Sequence, residues 1–155
     1  MRLSFKVFLA ALAILLAAGI LAAPARAGAQ GSCDKKLESQ WLNQPEPKTW
    51  EDLYRLFKQF GACDGGAIGD RFSRDVAQLF LKQWNQLDTL GRLAVADKAF
   101  EQFVLRHIDK SLDEEELLAI SDNSKSHCPT VEKRLCSLAR DRAQKGLDAQ
   151  RDDVE

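Results

Sequence analysis

From residue 49 onward the apolar residues recur at intervals of three and four, a spacing that predicts helices. Thr49-Trp50-Glu51-Asp52 sets a hydroxyl three residues ahead of a carboxylate, close to a capping box. Trp50, Leu53, Tyr54, Phe57 and Phe60 follow on one face, and Gly61 stops the helix. Asp64 stands where it would cap a second helix over 65–86, striped by Ile68, Phe72, Val76, Leu79, Phe80 and Trp84. A short third helix is read over 87–96, with a bend at Asp97-Lys98. Phe100, Phe103, Val104, His107 and Ile108 form the next face. Ser111-Leu112-Asp113-Glu114 repeats the capping logic ahead of Leu117, Leu118 and Ile120. That helix weakens through 121–126, where Ser and Asn compete for the backbone. Pro129 opens the last helix, with Val131, Leu135 and Leu138 inward. From Gln144 on the chain is polar, and fraying is expected. No stretch alternates at period two. The class is all-α, an irregular bundle of five or six short helices.

Ahead of the helices the pattern changes twice. Residues 28–48 are polar and carry Pro45 and Pro47, so they read as an extended N-terminal arm with a helical turn at 36–41. The helical domain then takes 49–145, and 146–155 is a tail. Before the arm, Arg2 and Lys6 precede an apolar run of about 16 residues over 8–23, near the lower limit for spanning a bilayer. Pro24 and Ala25-Arg26-Ala27 follow at once. Small residues at those two alanine positions are what a signal peptidase reads, so 1–27 is a cleavable secretory leader rather than an anchor. Cys33 lies behind Gln30-Gly31-Ser32, too far from the apolar run for lipidation. An Ala-rich leader of this kind points to a bacterial periplasm or beyond.

Removing the leader leaves roughly 128 residues, the size of one domain. Three basic residues and no acid depart with it, so the remaining chain is more negative than the −1 of the whole. A mildly acidic surface argues against nucleic acid or an anionic membrane as partner. All four cysteines, Cys33, Cys63, Cys128 and Cys136, follow the leader, and an even count in an exported domain reads as two disulfides. Zinc is the competitor. It lacks support, because no C-x-x-C pair exists and His127 and Cys128 are adjacent rather than spaced. If the helix opened by Pro129 runs past Cys136, the eight residues from Cys128 rise about 12 Å, whereas a disulfide tolerates about 7 Å between α-carbons. That disfavours Cys128–Cys136 and, with it, Cys33–Cys63. The preferred pairing is Cys63–Cys128 with Cys33–Cys136; the alternative is Cys33–Cys128 with Cys63–Cys136.

Candidate chemistry is sparse. A nucleophile would need a base, and only His107 and His127 exist. His107 lies on an apolar face and reads as a packed, hydrogen-bonded core residue; His127 reads as a helix-terminal residue favourable to the dipole. The segment Cys63-Asp64-Gly65-Gly66-Ala67-Ile68-Gly69-Asp70 could present backbone N–H groups to an anion. Yet no strand precedes it, no Lys follows, and two acids would repel phosphate, so close helix packing beside a disulfide is the better reading. Asp113, Glu114, Glu115 and Glu116 form the densest acid run. The helix dipole alone favours acids there, and the functional alternative is a docking patch for a basic partner. Trp41, isolated in the polar arm, could anchor a partner contact. No catalytic residue, cofactor site or metal site is assigned.

A cleavable leader, a compact helical domain and paired cysteines together resemble the small exported immunity proteins that neutralise cell-wall amidases delivered by type VI secretion. The resemblance spans the whole mature chain as a pattern of architecture, without a family motif, and carries over no inhibitory residues. It implies an inhibitor that occupies a hydrolase's active-site cleft. The expected function is therefore an exported binding protein rather than an enzyme, its partner another protein (a hydrolase or an envelope protein). Two alternatives stand beside it. One is a periplasmic module for a peptide or apolar ligand, or for envelope maintenance, with an open groove lined by Trp50, Phe57, Phe72 and Phe80. The other is a small hydrolase using His107.

Overall fold

Helices form wherever the three-and-four spacing is strongest. In the computed structural model, which describes Cys33 and residues 35–153, every regular element is helical. The leader read at 1–27 lies outside the described residues. Seven helices follow in order, against the five or six expected: α1 Lys35–Leu42, α2 Trp50–Phe60, α3 Gly66–Lys82, α4 Leu87–Ala96, α5 Lys98–Arg106, α6 Glu114–Ser126 and α7 Lys133–Asp152. Among the described residues no helix is long and apolar enough to cross a membrane.

The extra helix comes from the arm. Eight residues cannot hold a helix alone in water. Here Trp41 holds it, fully buried and stacked on Phe72 (4.2 Å between centroids) and Phe60 (5.1 Å). Arg71 of α3 donates to the carbonyls of Trp41, Leu42 and Gln44, at and just past the end of α1. Trp41 is thus a core residue and not a surface anchor, contrary to the expectation from its polar neighbours.

The caps divide into those that behave as read and those that move. Thr49 caps α2 in a full capping box with Asp52. Asp97 both ends α4 and caps α5, accepting from Ala99 (3.0 Å) and Phe100 (3.2 Å). The box at the start of α6 is shifted two residues: Asp113 is the cap and Glu116 its partner, not Ser111 and Glu114. Asp64 does not cap α3. That helix starts from the backbone of Gly65, with Asp64 turned toward α5. The glycines there do not serve close packing, since side chains at Gly65 or Gly66 would meet open space. Gly66 is needed because its φ is +53°. Gly69 alone sits tight, 3.3 Å from Asp64 Oδ1 at the place a Cβ would occupy.

Both disulfides pair differently from either expected arrangement. They are Cys33–Cys63 and Cys128–Cys136, with α-carbons 5.4 and 6.1 Å apart. The premise that failed was a continuous helix from Cys128. Pro129 is extended (ψ 140°), Thr130–Glu132 is a 3₁₀ turn, and α7 begins only at Lys133. Folding back in this way brings the two cysteines within bridging range. It also leaves Val131, expected inward, 80% exposed. Each bond therefore staples a local corner: the first ties the start of α1 to the α2–α3 turn, the second locks the α6–α7 turn.

Helices α6 and α7 form the most extensive pair, running antiparallel, with Gly146 against Leu117 at one end and the second disulfide at the other. α3 packs on α1, α2 and α6. Its stripe of Ile68, Phe72, Val76, Leu79 and Phe80 meets the aromatic rings of α2 and α5, with Phe72 edge-on to Phe103 at 4.7 Å. α7 does not fray where polarity predicted: Ala143, Gly146 and Leu147 are buried. Arg142 donates to Leu105 O, and Gln150 to Lys110 O and Leu112 O, clamping the α5–α6 connection.

Candidate functional site

α3 buries one face in the core and turns the other to a cleft of about 870 Å³. Asp70, Arg71, Arg74, Asp75, Gln78 and Lys82 come from its floor, with Ser73 at the edge. One wall is the α1–α2 loop, with Glu46, Pro47 and Lys48. The α2 capping box holds that wall, since Asp52 Oδ2 accepts from the backbone of Lys48 and of Thr49 at 3.1 Å each. The opposite wall is the α5–α6 connection and the first turn of α6, with Ser111, Leu112, Asp113 and Glu116. Gln78 Nε2 reaches Glu116 Oε1 at 3.4 Å, linking floor to wall. The expected acid patch is therefore split: Asp113 and Glu116 face the cleft, while exposed Glu114 and Glu115 do not line it.

Asp75 is the unusual group on this floor. It is only 6% exposed, and its Oδ2 is buried without a hydrogen bond. The nearest cation, Arg71 Nε, is 3.7 Å from that oxygen. Arg71 cannot come closer without giving up the three carbonyls at the end of α1. Burial pushes the Asp75 carboxyl up to about 6; Arg71 opposes this, Glu46 adds to it and Arg74 opposes it.

Three residues make a second constellation, away from the acid run. His107 Nδ1 is 2.9 Å from Ser73 Oγ, and its Nε2 is 3.2 Å from Asp64 Oδ1. The Nε2 contact lies within ion-pair distance and does not meet hydrogen-bond geometry. Asp64 Oδ2 accepts both Nε (2.8 Å) and Nη2 (2.6 Å) of Arg106. Burial raises Asp64, but His107 and then Arg106 outweigh it and hold the carboxyl below its ordinary value. The line Ser73–His107–Asp64 has the composition of an acyl-transfer triad. Its setting suits a structural tie instead. His107 is 5% exposed and wedged against Phe103 (4.6 Å) and Phe72 (5.8 Å). Ser73 lies in the middle of α3, where the backbone N–H groups serve the helix ladder and are not free to hold an oxyanion. The line ties the α2–α3 turn, α3 and the end of α5 together, which is the packed role read for His107. His127 is exposed at the end of α6, and its carbonyl accepts from Trp84 Nε1 at 2.9 Å.

Among the described residues no three of His, Cys, Asp and Glu converge in the way a metal ion requires. Sequence reasoning missed Asp75 and Arg71, and a signal for Asp75 existed. It stands three residues after Phe72 and four before Leu79, inside the apolar stripe, where a carboxylate is out of place. No family model matches the chain, and neither does any curated protein or solved structure.

Proposed function

We propose that this chain is an exported binding protein that holds another protein, a cell-wall hydrolase, inactive in the periplasm. The observation that carries the reading is the cleft: a polar recess, walled by capped and clamped segments, with an unsatisfied carboxylate on its floor. Such a recess is costly to maintain for stability alone, and a preformed polar site lowers the ordering cost of binding. Two disulfides fit an oxidising compartment, and in this reading the leader at 1–27 is removed on export. The acidic mature chain favours a basic partner.

The apolar-ligand reading lacks its groove. Trp50, Phe72 and Phe80 are fully buried and Phe57 half-buried, so those rings fill a closed core. A short polar peptide as the cleft's natural ligand, serving envelope maintenance, remains the second reading, favoured by the cleft's size.

The test uses the oxidised mature chain and any cell-wall hydrolase found to be encoded beside its gene. A complex of micromolar affinity or tighter, about −8 kcal/mol, and loss of peptidoglycan cleavage at stoichiometric ratio are expected. Unimpaired cleavage with no complex would remove the inhibitor reading.

A further inference from the structure

We infer that Asp75 is the receptor for a basic side chain, lysine or arginine, that a partner polypeptide inserts into the α3 cleft. This rests on the reading of the cleft as the recognition site and adds what the site recognises.

The argument starts from an imbalance. Asp75 is more than nine-tenths buried and neither of its oxygens takes a hydrogen bond from the described residues. A buried ionised carboxylate normally collects two or more donors. The cation on the floor that lies within ion-pair distance of it, Arg71, gives its Nη atoms to backbone carbonyls and stacks on Trp41 at 5.0 Å. It offers charge to Asp75 at 3.7 Å and no hydrogen bond. The acceptor is thus left unsatisfied on a residue that lines the floor of the cleft. Its missing partner is a group with positive charge and N–H donors.

The other charges lining the recess balance, four acids against four bases, so Asp75 supplies its excess negative charge. Glu46 on one wall, Asp113 and Glu116 on the other, and Asp70 on the floor line the same recess. Arg74, Lys48 and Lys82 also line it, and none of them is within ion-pair distance of Asp75. A cleft of about 870 Å³ exceeds one side chain and suits several residues of polypeptide around the inserted base. With the carboxyl's value near 6, it is ionised and receptive at neutral pH and closed by protonation in acid. The charged groups around this carboxyl are Arg71, Arg74, Asp70 and Lys82 on α3, Glu46 and Lys48 on the loop, and Asp113 and Glu116 opposite.

Three capped pentapeptides test it by NMR titration of the oxidised mature chain: Gly-Ser-Arg-Ser-Gly, the same with Lys, and the same with norleucine. The basic peptides should shift the amides of Glu46, Lys48, 70–83 and 111–116 saturably, with the norleucine peptide at least about tenfold weaker. Asp75→Asn should weaken the basic peptides about tenfold, as should moving from near-neutral pH to a pH about one unit below the value of Asp75. Equal binding of the norleucine peptide, no saturable shift at millimolar peptide, or full affinity in Asp75→Asn would each overturn the inference. The peptide arm needs no variant, so it decides even if Asp75→Asn folds poorly. The hydrolase assay separates the two readings. Full inhibition by Asp75→Asn would sink the Asp75 receptor and leave the inhibitor standing. Expected peptide behaviour without any hydrolase complex would do the reverse.

Discussion

At the scale of single residues, burial and backbone angle decide more than residue type. Gly65 and Gly66 look equivalent in sequence, but only Gly66 has a positive φ, while Gly65 at 175° is ordinary extended backbone. Gly66→Ala should therefore cost about 1–2 kcal/mol, and Gly65→Ala almost nothing, as urea melts of the two variants would read. Equal costs would mean that the α3 start adopts another conformation. His107 makes a second contrast. Its ring joins Ser73, Asp64, Phe72 and Phe103. His107→Ala leaves a cavity and an unpartnered Ser73, so a loss of about 2–4 kcal/mol is expected. A variant that kept full stability but lost a hydrolytic activity would restore the catalytic alternative. The apolar face that holds His107 was legible from its spacing. The partners were not, because Ser73 and Asp64 lie far off in the chain and nothing local marks them as neighbours.

At the scale of elements, the helices were readable where a strong stripe coincided with a local cap. α2 and α4 begin and end at the residues the pattern named. The reading failed where a tertiary partner overrode local polarity. α1 reads in sequence as no more than a helical turn at 36–41 in an extended arm, because Leu37, Trp41 and Leu42 are too few to show a periodicity. α7 was expected to fray because its last turns are charged, yet small and sparse residues on one side bury well: Gly146 approaches Leu117 and the backbone of Asp109 closely. The disulfides went astray for the same reason, since Pro129 was read as starting a helix that really starts four residues later. Peptide mapping without reduction should yield Cys33–Cys63 and Cys128–Cys136 fragments and no cross-linked pair between the halves of the chain. Leu147→Asp tests the α7 end. It buries a charge against α6, and a loss of about 2–4 kcal/mol is expected, with faster hydrogen exchange in 107–113 as the Arg142 and Gln150 clamps loosen. Wild-type stability in that variant would show the end of α7 to be dispensable.

At the scale of the whole molecule, two kinds of carboxylate pull stability in opposite directions with pH. Glu101 of α5 is forked by Arg134 of α7 at 2.7 and 2.8 Å, which against burial and with Lys98 holds it down at about 2, from 4.5. Asp64 is lowered too, by His107 and Arg106 against its burial. Groups depressed on folding contribute stability above their unfolded values and lose it as pH falls through their folded ones. These two tie α5 to α7 and to the α2–α3 turn, so their loss below about pH 4 should loosen the bundle at its centre. Asp75 runs the other way. Its folded value of about 6 lies above the unfolded 3.8, so its contribution is complete below 3.8 and disappears as pH rises through 6. The melting temperature of the free protein should therefore peak between these limits and decline toward neutrality. In Asp75→Asn the decline that Asp75 causes should vanish, leaving the variant as stable as wild type, or more so, at neutral pH. An unchanged neutral-side slope would show that Asp75 is neutralised from within. It would then have no open valence to offer a partner, and the same melting curves would count against the recognition site.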